Sequence, residues 1–135
     1  MRVFLDTNVL ASAIATRGLC GELYEAVIHD HELVTCQPVL VELKRVLSGK
    51  FRLPSPLIEG FLGLLKAEAR IIESRRKLPV PIKDVDDIAI LSCAVAAGAD
   101  VFVTGDRELL DLQRVGSLPI MSPRQLWNRL AGLEA

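Results

Sequence analysis

Aromatic side chains are scarce in this chain: one Trp, one Tyr and four Phe among 135 residues, or 4%. Since half the residues are hydrophobic, the core must be built from Leu, Val, Ile and Ala, and little ring surface is left on which nucleic-acid bases could stack. An excess of one charge is also missing. Sixteen Lys and Arg face seventeen Asp and Glu, for a net charge of −1, which argues against a general basic coat for nucleic acid. Any such contact would depend on where the charges sit. The three cysteines, Cys20, Cys36 and Cys93, show neither a CxxC pair nor Cys/His ligand spacing, so they read as reduced thiols acting as small apolar side chains. No stretch approaches the roughly 20 apolar residues of a membrane span, and Asp6 interrupts the N-terminal apolar run that a signal peptide needs. GxGxxG and GxxxxGK[ST] are absent, which argues against a nucleotide-cofactor enzyme. The expectation is a soluble cytoplasmic protein with a single domain over residues 1–135.

What the chain does contain is an alternation of strand-like and helix-like segments. Arg2 to Leu5 reads as a buried strand, Gly21 to His31 as a helix with Leu23, Ala26 and Val27 at helical spacing, and Glu32 to Cys36 as a second strand. "QPVLVELKRVL" predicts a helix with Pro38 in its first turn, a stripe of Val39, Leu43, Val46 and Leu47, and an end at Gly49. "SPLIEGFLGLLKAEA" predicts another, with Ser55 as N-cap and Leu57, Phe61, Leu64 and Leu65 on one face. "RIIE" is a weak strand, and "SRRKLPVPIKD" a loop with a basic cluster. "VDDIAILSCAVAAGA" reads as a helix closed by Gly98, "DVFVTGD" as a buried strand, "RELLDL" as a short helix, "LPIM" as a last strand and "SPRQLWNRL" as a last helix starting at Ser122 and Pro123. Strands alternating with helices predict an α/β three-layer sandwich, a central parallel sheet of about four to five strands flanked by helices. In such sheets ligands bind outside the carboxyl ends of the strands.

Carboxylates gather at that edge. Asp6 ends the first strand; Glu42 lies about one turn inside the helix leaving the second; Asp84, Asp86 and Asp87 crowd one helix N-terminus; Asp106 follows "VFVT". Asp84 also reads as an ordinary N-cap, with Asp86 and Asp87 complementing a helix dipole. Asp6 and Asp106 are harder to account for, because a charge at the end of an apolar strand is expensive unless something binds it. Packed carboxylates raise one another's pKa, and a divalent cation removes that penalty. Oxygen ligands without His or Cys favour Mg²⁺ or Mn²⁺ over zinc, and the chemistry that follows is metal-assisted phosphodiester hydrolysis. No Ser/His/Asp or Cys/His set competes, since His29 and His31 sit together at a helix end as solvated residues.

"FLDTNVL", a Glu in the helix after the second strand, "DVDDIAILSCA", "VFVTGDRELL" and "IMSPRQLW" together resemble the PIN-domain nucleases along essentially the whole chain. The nearest likeness is to the PIN-family toxins of bacterial and archaeal toxin–antitoxin pairs, relatives of the VapC-like toxins. The resemblance implies a metal-binding, catalytic quartet of Asp6, Glu42, Asp87 and Asp106, with Asn8 and Thr104 as polar supports. It selects Asp87 over Asp86 by the family phase D-x-x-x-L-x-x-A, here Asp87, Leu91 and Ala94, and leaves Asp86 a supporting role. Val85 and Ile88 stand where the family often has proline and a further acidic residue. The resemblance further implies a homodimer, an RNA substrate and a cognate antitoxin.

Arg107, next to Asp106 on the same rim, is the candidate phosphate contact, and the clusters Lys44 to Arg52 and Arg75 to Lys77 are candidate basic surfaces. Two alternatives remain open at this point. One is an inactive PIN-like module that binds RNA or a protein. The other is a Mg²⁺-dependent phosphohydrolase with Asp6 as nucleophile, weakened because Asn8 replaces the usual second aspartate.

Overall fold

The computed structural model describes residues 1–73 and 79–133. The elements run β1 (Arg2–Leu5), α1 (Thr7–Ala15), α2 (Leu19–Asp30), β2 (Glu32–Cys36), α3 (Gln37–Gly49), α4 (Ser55–Glu68), β3 (Arg70–Ile72), α5 (Val85–Ala96), β4 (Val101–Val103), α6 (Arg107–Asp111), β5 (Arg114–Val115), β6 (Leu118–Met121) and α7 (Pro123–Leu130). The sheet order is β3-β2-β1-β4-β6-β5. Its first five strands are parallel, as the alternating pattern predicts. β5 adds a two-residue antiparallel edge that the sequence reading left out. α2, α3 and α5 pack on β2, and α6 and α7 on β6, so helices flank the sheet.

The core is aliphatic, as the shortage of aromatics requires. Phe4 and Phe102 are the exception: they pair in register on β1 and β4 and stack with ring centroids 5.3 Å apart. Cys36 and Cys93 are buried and Cys20 is half-buried, and none of the three is in a disulfide. No helix among the described residues is long and apolar enough to cross a membrane.

Three sequence expectations are corrected. The first concerns residues 7 to 15, for which the sequence reading has no element and which form α1. Asp6 caps it, with extended backbone and a side chain accepting from the Thr7 N–H. The second concerns α2, which starts at Leu19 instead of Gly21. In α4, finally, the N-cap is Pro54 with Ser55 already helical, and the core face is Ile58, Leu62 and Leu65, while Leu57 and Leu64 stay 44% and 55% exposed. The basic cluster Arg75 to Lys77 lies outside the described residues.

The strand order positions the site. From β1 the chain steps to β2 and β3 on one side, then returns to β4 and β6 on the other. The reversal opens a crevice at the carboxyl ends of β1 and β4, the place where open α/β sheets bind ligands.

Candidate active site

Asp6 stands in that crevice. β1 and β4 pair Leu5 with Val103, so the next residues along, Asp6 and Thr104, come side by side. The Asp6 backbone N–H continues the ladder onto the Val103 carbonyl at 2.8 Å. Its side chain, in a residue only 5% exposed, accepts from the Thr7 N–H through Oδ1 at 2.8 Å and from the Thr104 hydroxyl through Oδ2 at 2.7 Å. The Thr104 hydroxyl in turn accepts from the Asp106 N–H at 3.0 Å. Asp106 caps α6, taking the Glu108 N–H at 2.9 Å. Thr104 thus ties the carboxylate-bearing ends of β1 and β4 together.

The other two acids arrive on helices. α3 leaves β2 without an intervening loop, which carries Glu42 to the β1 side of the crevice. In α5, Asp84 is the N-cap, accepting from the Asp86 N–H at 2.8 Å, and Asp87 follows half-buried in the first turn. Electrostatics connects these positions. Burial, followed by the charges of Asp84, Asp6, Asp106 and Glu42, pushes the Asp87 carboxyl up to about 7. Burial raises Asp6 as well, against the opposing bonds from Thr104 and Thr7, with Asp106 adding to the rise. Glu42 is raised by burial and then by Asp6 and Asp86, while Thr7 and Arg45 hold it down. The Thr7 hydroxyl is fully buried and lies toward Glu42, yet reaches no partner with full hydrogen-bond geometry.

The structure therefore brings Asp6, Glu42, Asp87 and Asp106 into one another's field, with Thr104 among them. The remaining expected residues sit differently. Asn8 is exposed at the start of α1 and makes no side-chain hydrogen bond among the described residues. Asp86 is exposed beside Glu42, and Arg107 is exposed on the rim. His29 is exposed and faces Glu25 at 3.6 Å, and His31 takes the N-terminal amine at 3.1 Å, which puts it at the start of β1 and β2, the edge opposite the carboxyl ends. Cys36 is pushed up to about 12 by burial, which makes it an inert apolar thiol. Sequence reasoning missed Thr7 and treated Arg45 only as part of a basic cluster; its position three residues after Glu42 on one helix was the available signal.

Among the described residues, no three His, Cys, Asp or Glu side chains are already drawn together tightly enough to hold an ion. The set nevertheless fits a hard divalent cation in kind. Every donor is oxygen, the carboxyls are held up by burial and by one another, and Thr7 offers an orphaned buried hydroxyl. Mg²⁺ keeps several waters and needs only one or two carboxylates directly.

The comparisons agree with this architecture. A solved assembly of VapBC2 from Rickettsia felis bound to a DNA fragment from its promoter contains a similar chain, 20% identical, with a TM-score of 0.67 over 90% of this chain and 98% of that one. VapBC-1 from nontypeable Haemophilus influenzae is similar at 19% identity and a TM-score of 0.64, over 92% and 99%. A Pyrobaculum aerophilum protein is similar at 20% and 0.65, over 98% and 96%. No curated protein sequence is matched. The family model described as the PIN domain matches residues 2–108, from the first strand through Asp106 to the start of α6, and the chain belongs to the PIN-domain family.

Proposed function

We propose that this protein is a Mg²⁺- or Mn²⁺-dependent ribonuclease that hydrolyses RNA phosphodiester bonds in the cytoplasm, as the toxin of a toxin–antitoxin pair. The observation that carries the reading is the convergence of Asp6, Glu42, Asp87 and Asp106, from four separate elements, on the crevice between β1 and β4. Membership of the PIN-domain family supports it.

The four carboxylates would hold the metal, which when bound supplies Lewis acidity and an acidified water. The chain's own part is positional. Thr104 and the Thr7 N–H fix both oxygens of Asp6, so that its lone pairs are aimed without a further loss of rotamer freedom. The phosphohydrolase alternative is weakened by Asn8, which stands in place of the usual second aspartate and is exposed on α1. Asp87, raised by burial and by its acidic neighbours, is the carboxyl whose repulsion a bound cation would relieve most. Arg107 on the rim can receive a substrate phosphate.

The VapBC likenesses support a small cognate antitoxin as partner. The exposed apolar side chains Val41, Leu57, Leu64 and Val85 offer surface for such a partner or for a second copy in a homodimer. The test is cleavage of labelled pools of RNA and single-stranded DNA in Mn²⁺, Mg²⁺ or EDTA by wild type and Asp6→Asn. RNA cutting that needs metal and is lost in the variant is expected. RNA that is bound but never cut by the wild type would favour the inactive binding module instead.

A further inference from the structure

Two buried hydroxyls, those of Thr7 and Thr35, have no hydrogen-bond partner among the described residues. A polar group in that state is destabilising, and native structures hold few of them without a reason. Thr7 is fully buried and opens α1 directly behind Asp6. Deeper in a helix, a threonine hydroxyl can bond the carbonyl three or four residues back. For the first residue of α1 those positions are Phe4 and Val3, which lie in the extended strand β1, so the helical outlet is closed. Both oxygens of Asp6 are already engaged, by the Thr7 N–H and the Thr104 hydroxyl.

What the hydroxyl does face is Glu42. α1 packs against α3, and the nearness of Thr7 holds the Glu42 carboxyl down against the effect of burial. Glu42 is only half-buried and has a second direction in which to turn. It lines a groove between α3 and α5 together with Arg45 and Asp86, and the Arg45 guanidinium attracts the same carboxylate. Something must therefore decide to which side Glu42 turns.

We propose that Thr7 is a positioning residue for Glu42, its buried, unpartnered hydroxyl donating to the Glu42 carboxylate and keeping it on the Asp6 side of the crevice in the metal-loaded protein. The inference rests on the metal-dependent reading above. One residue then orients two ligands, Asp6 through its backbone N–H and Glu42 through its side chain. Threonine suits the task because its branched Cβ leaves χ1 stiff, so little rotamer freedom remains to be lost. In the ion-free protein the same hydroxyl weakens the fold, as any buried group without a partner does. Those opposite signs separate a positioning role from a structural one.

The test pairs Mn²⁺ titration, with free ion counted by electron paramagnetic resonance, with thermal melting in EDTA. Valine has the shape of threonine without its hydroxyl and leaves the backbone bond to Asp6 in place. Thr7→Val should lower Mn²⁺ affinity about tenfold, yet melt no lower than wild type in EDTA, because it removes an orphaned polar group. Thr7→Ser keeps the hydroxyl and should bind Mn²⁺ within about threefold of wild type, although loss of the methyl lowers its melting point. Thr35→Val, the same change on β2, should leave Mn²⁺ affinity unchanged. In a Glu42→Ala background the loss caused by Thr7→Val should vanish, since the hydroxyl then has no carboxylate to hold. A Thr7→Val protein that binds Mn²⁺ like wild type, or that melts clearly lower in EDTA, would overturn the inference, while RNA cutting by the wild type would keep the nuclease standing. So would a loss that persists without Glu42. The expected pattern in a wild type that binds Mn²⁺ but never cuts RNA would uphold Thr7 and remove the nuclease. A wild type that binds no Mn²⁺ would overturn both.

Discussion

Asp6 serves two elements at once: it caps α1 through Oδ1 and holds Thr104 through Oδ2. Asn can keep the cap and donate to Thr104, so Asp6→Asn should abolish cleavage, by about a hundredfold or more, while the metal-free protein melts no lower than wild type. Asp6→Ala loses both partners and should cost about 1–2 kcal/mol in denaturant unfolding. A lower melting point for the Asn variant would mean that the carboxylate charge itself stabilises the fold. Thr104 gives a second prediction at this scale. Thr104→Val should lower Mn²⁺ affinity by about tenfold or more and Thr104→Ser should largely restore it, measured by titration, since only the hydroxyl links Asp6 to the Asp106 N–H. Asp6 and Asp106 stood out in the sequence as charges ending apolar strands, whereas Thr104, and Asp87 ahead of Asp86, came only with the family resemblance. The exposure of Asn8 on α1 was not legible, because it follows from a helix that the reading left out. Arg45 could have been read from its place three residues after Glu42 on one helix, from which it holds the Glu42 carboxyl down.

At the scale of elements, α1 and α4 show where periodicity runs out. Asp6 before an apolar run carries an N-cap signal, but its reading as a ligand left the cap unread, and a residue that does both conceals one function behind the other. α4 has two apolar stripes: Leu57, Phe61 and Leu64, and, one residue along, Ile58, Leu62 and Leu65. Their spacing is identical, so helical period alone cannot choose between them; packing against α3 does. Leu62→Ala should therefore cost roughly 2–5 kcal/mol, whereas Leu64→Ala should stay within about 0.5 kcal/mol, both read from urea midpoints at unchanged slope. Equal effects would mean that both stripes are covered in solution, as a partner or second copy on α4 would bring about. β5 had its own signal, the two-residue Gly116-Ser117 turn between Val115 and Leu118 with Gly116 at φ +59. It was lost because a two-residue strand has no period to read.

Across the whole molecule, the sheet reversal between β1 and β4 assembles an acidic site that opposes the fold carrying it. Asp87 is raised from 3.8 to about 7 by burial and then by its acidic neighbours, and Asp6 and Glu42 shift in the same direction. Between those two values the native state holds protons that the unfolded chain has released, so stability must fall as pH rises through this window. In EDTA the melting temperature should therefore be higher near about pH 5 than near about pH 8. Asp87→Asn should flatten the slope, because it keeps the shape and removes the titration. Mn²⁺ should reverse the loss at the alkaline end, where all four carboxylates are charged and free to bind it. Its affinity should weaken by up to roughly tenfold per pH unit below about 7, since a proton must leave Asp87 for the ion to bind there. A melting temperature that climbs with pH through the same window in EDTA would mean that these carboxylates do not share one field. With that field gone, the argument for a cation at the reversal point would lose its electrostatic basis, whatever the family resemblance.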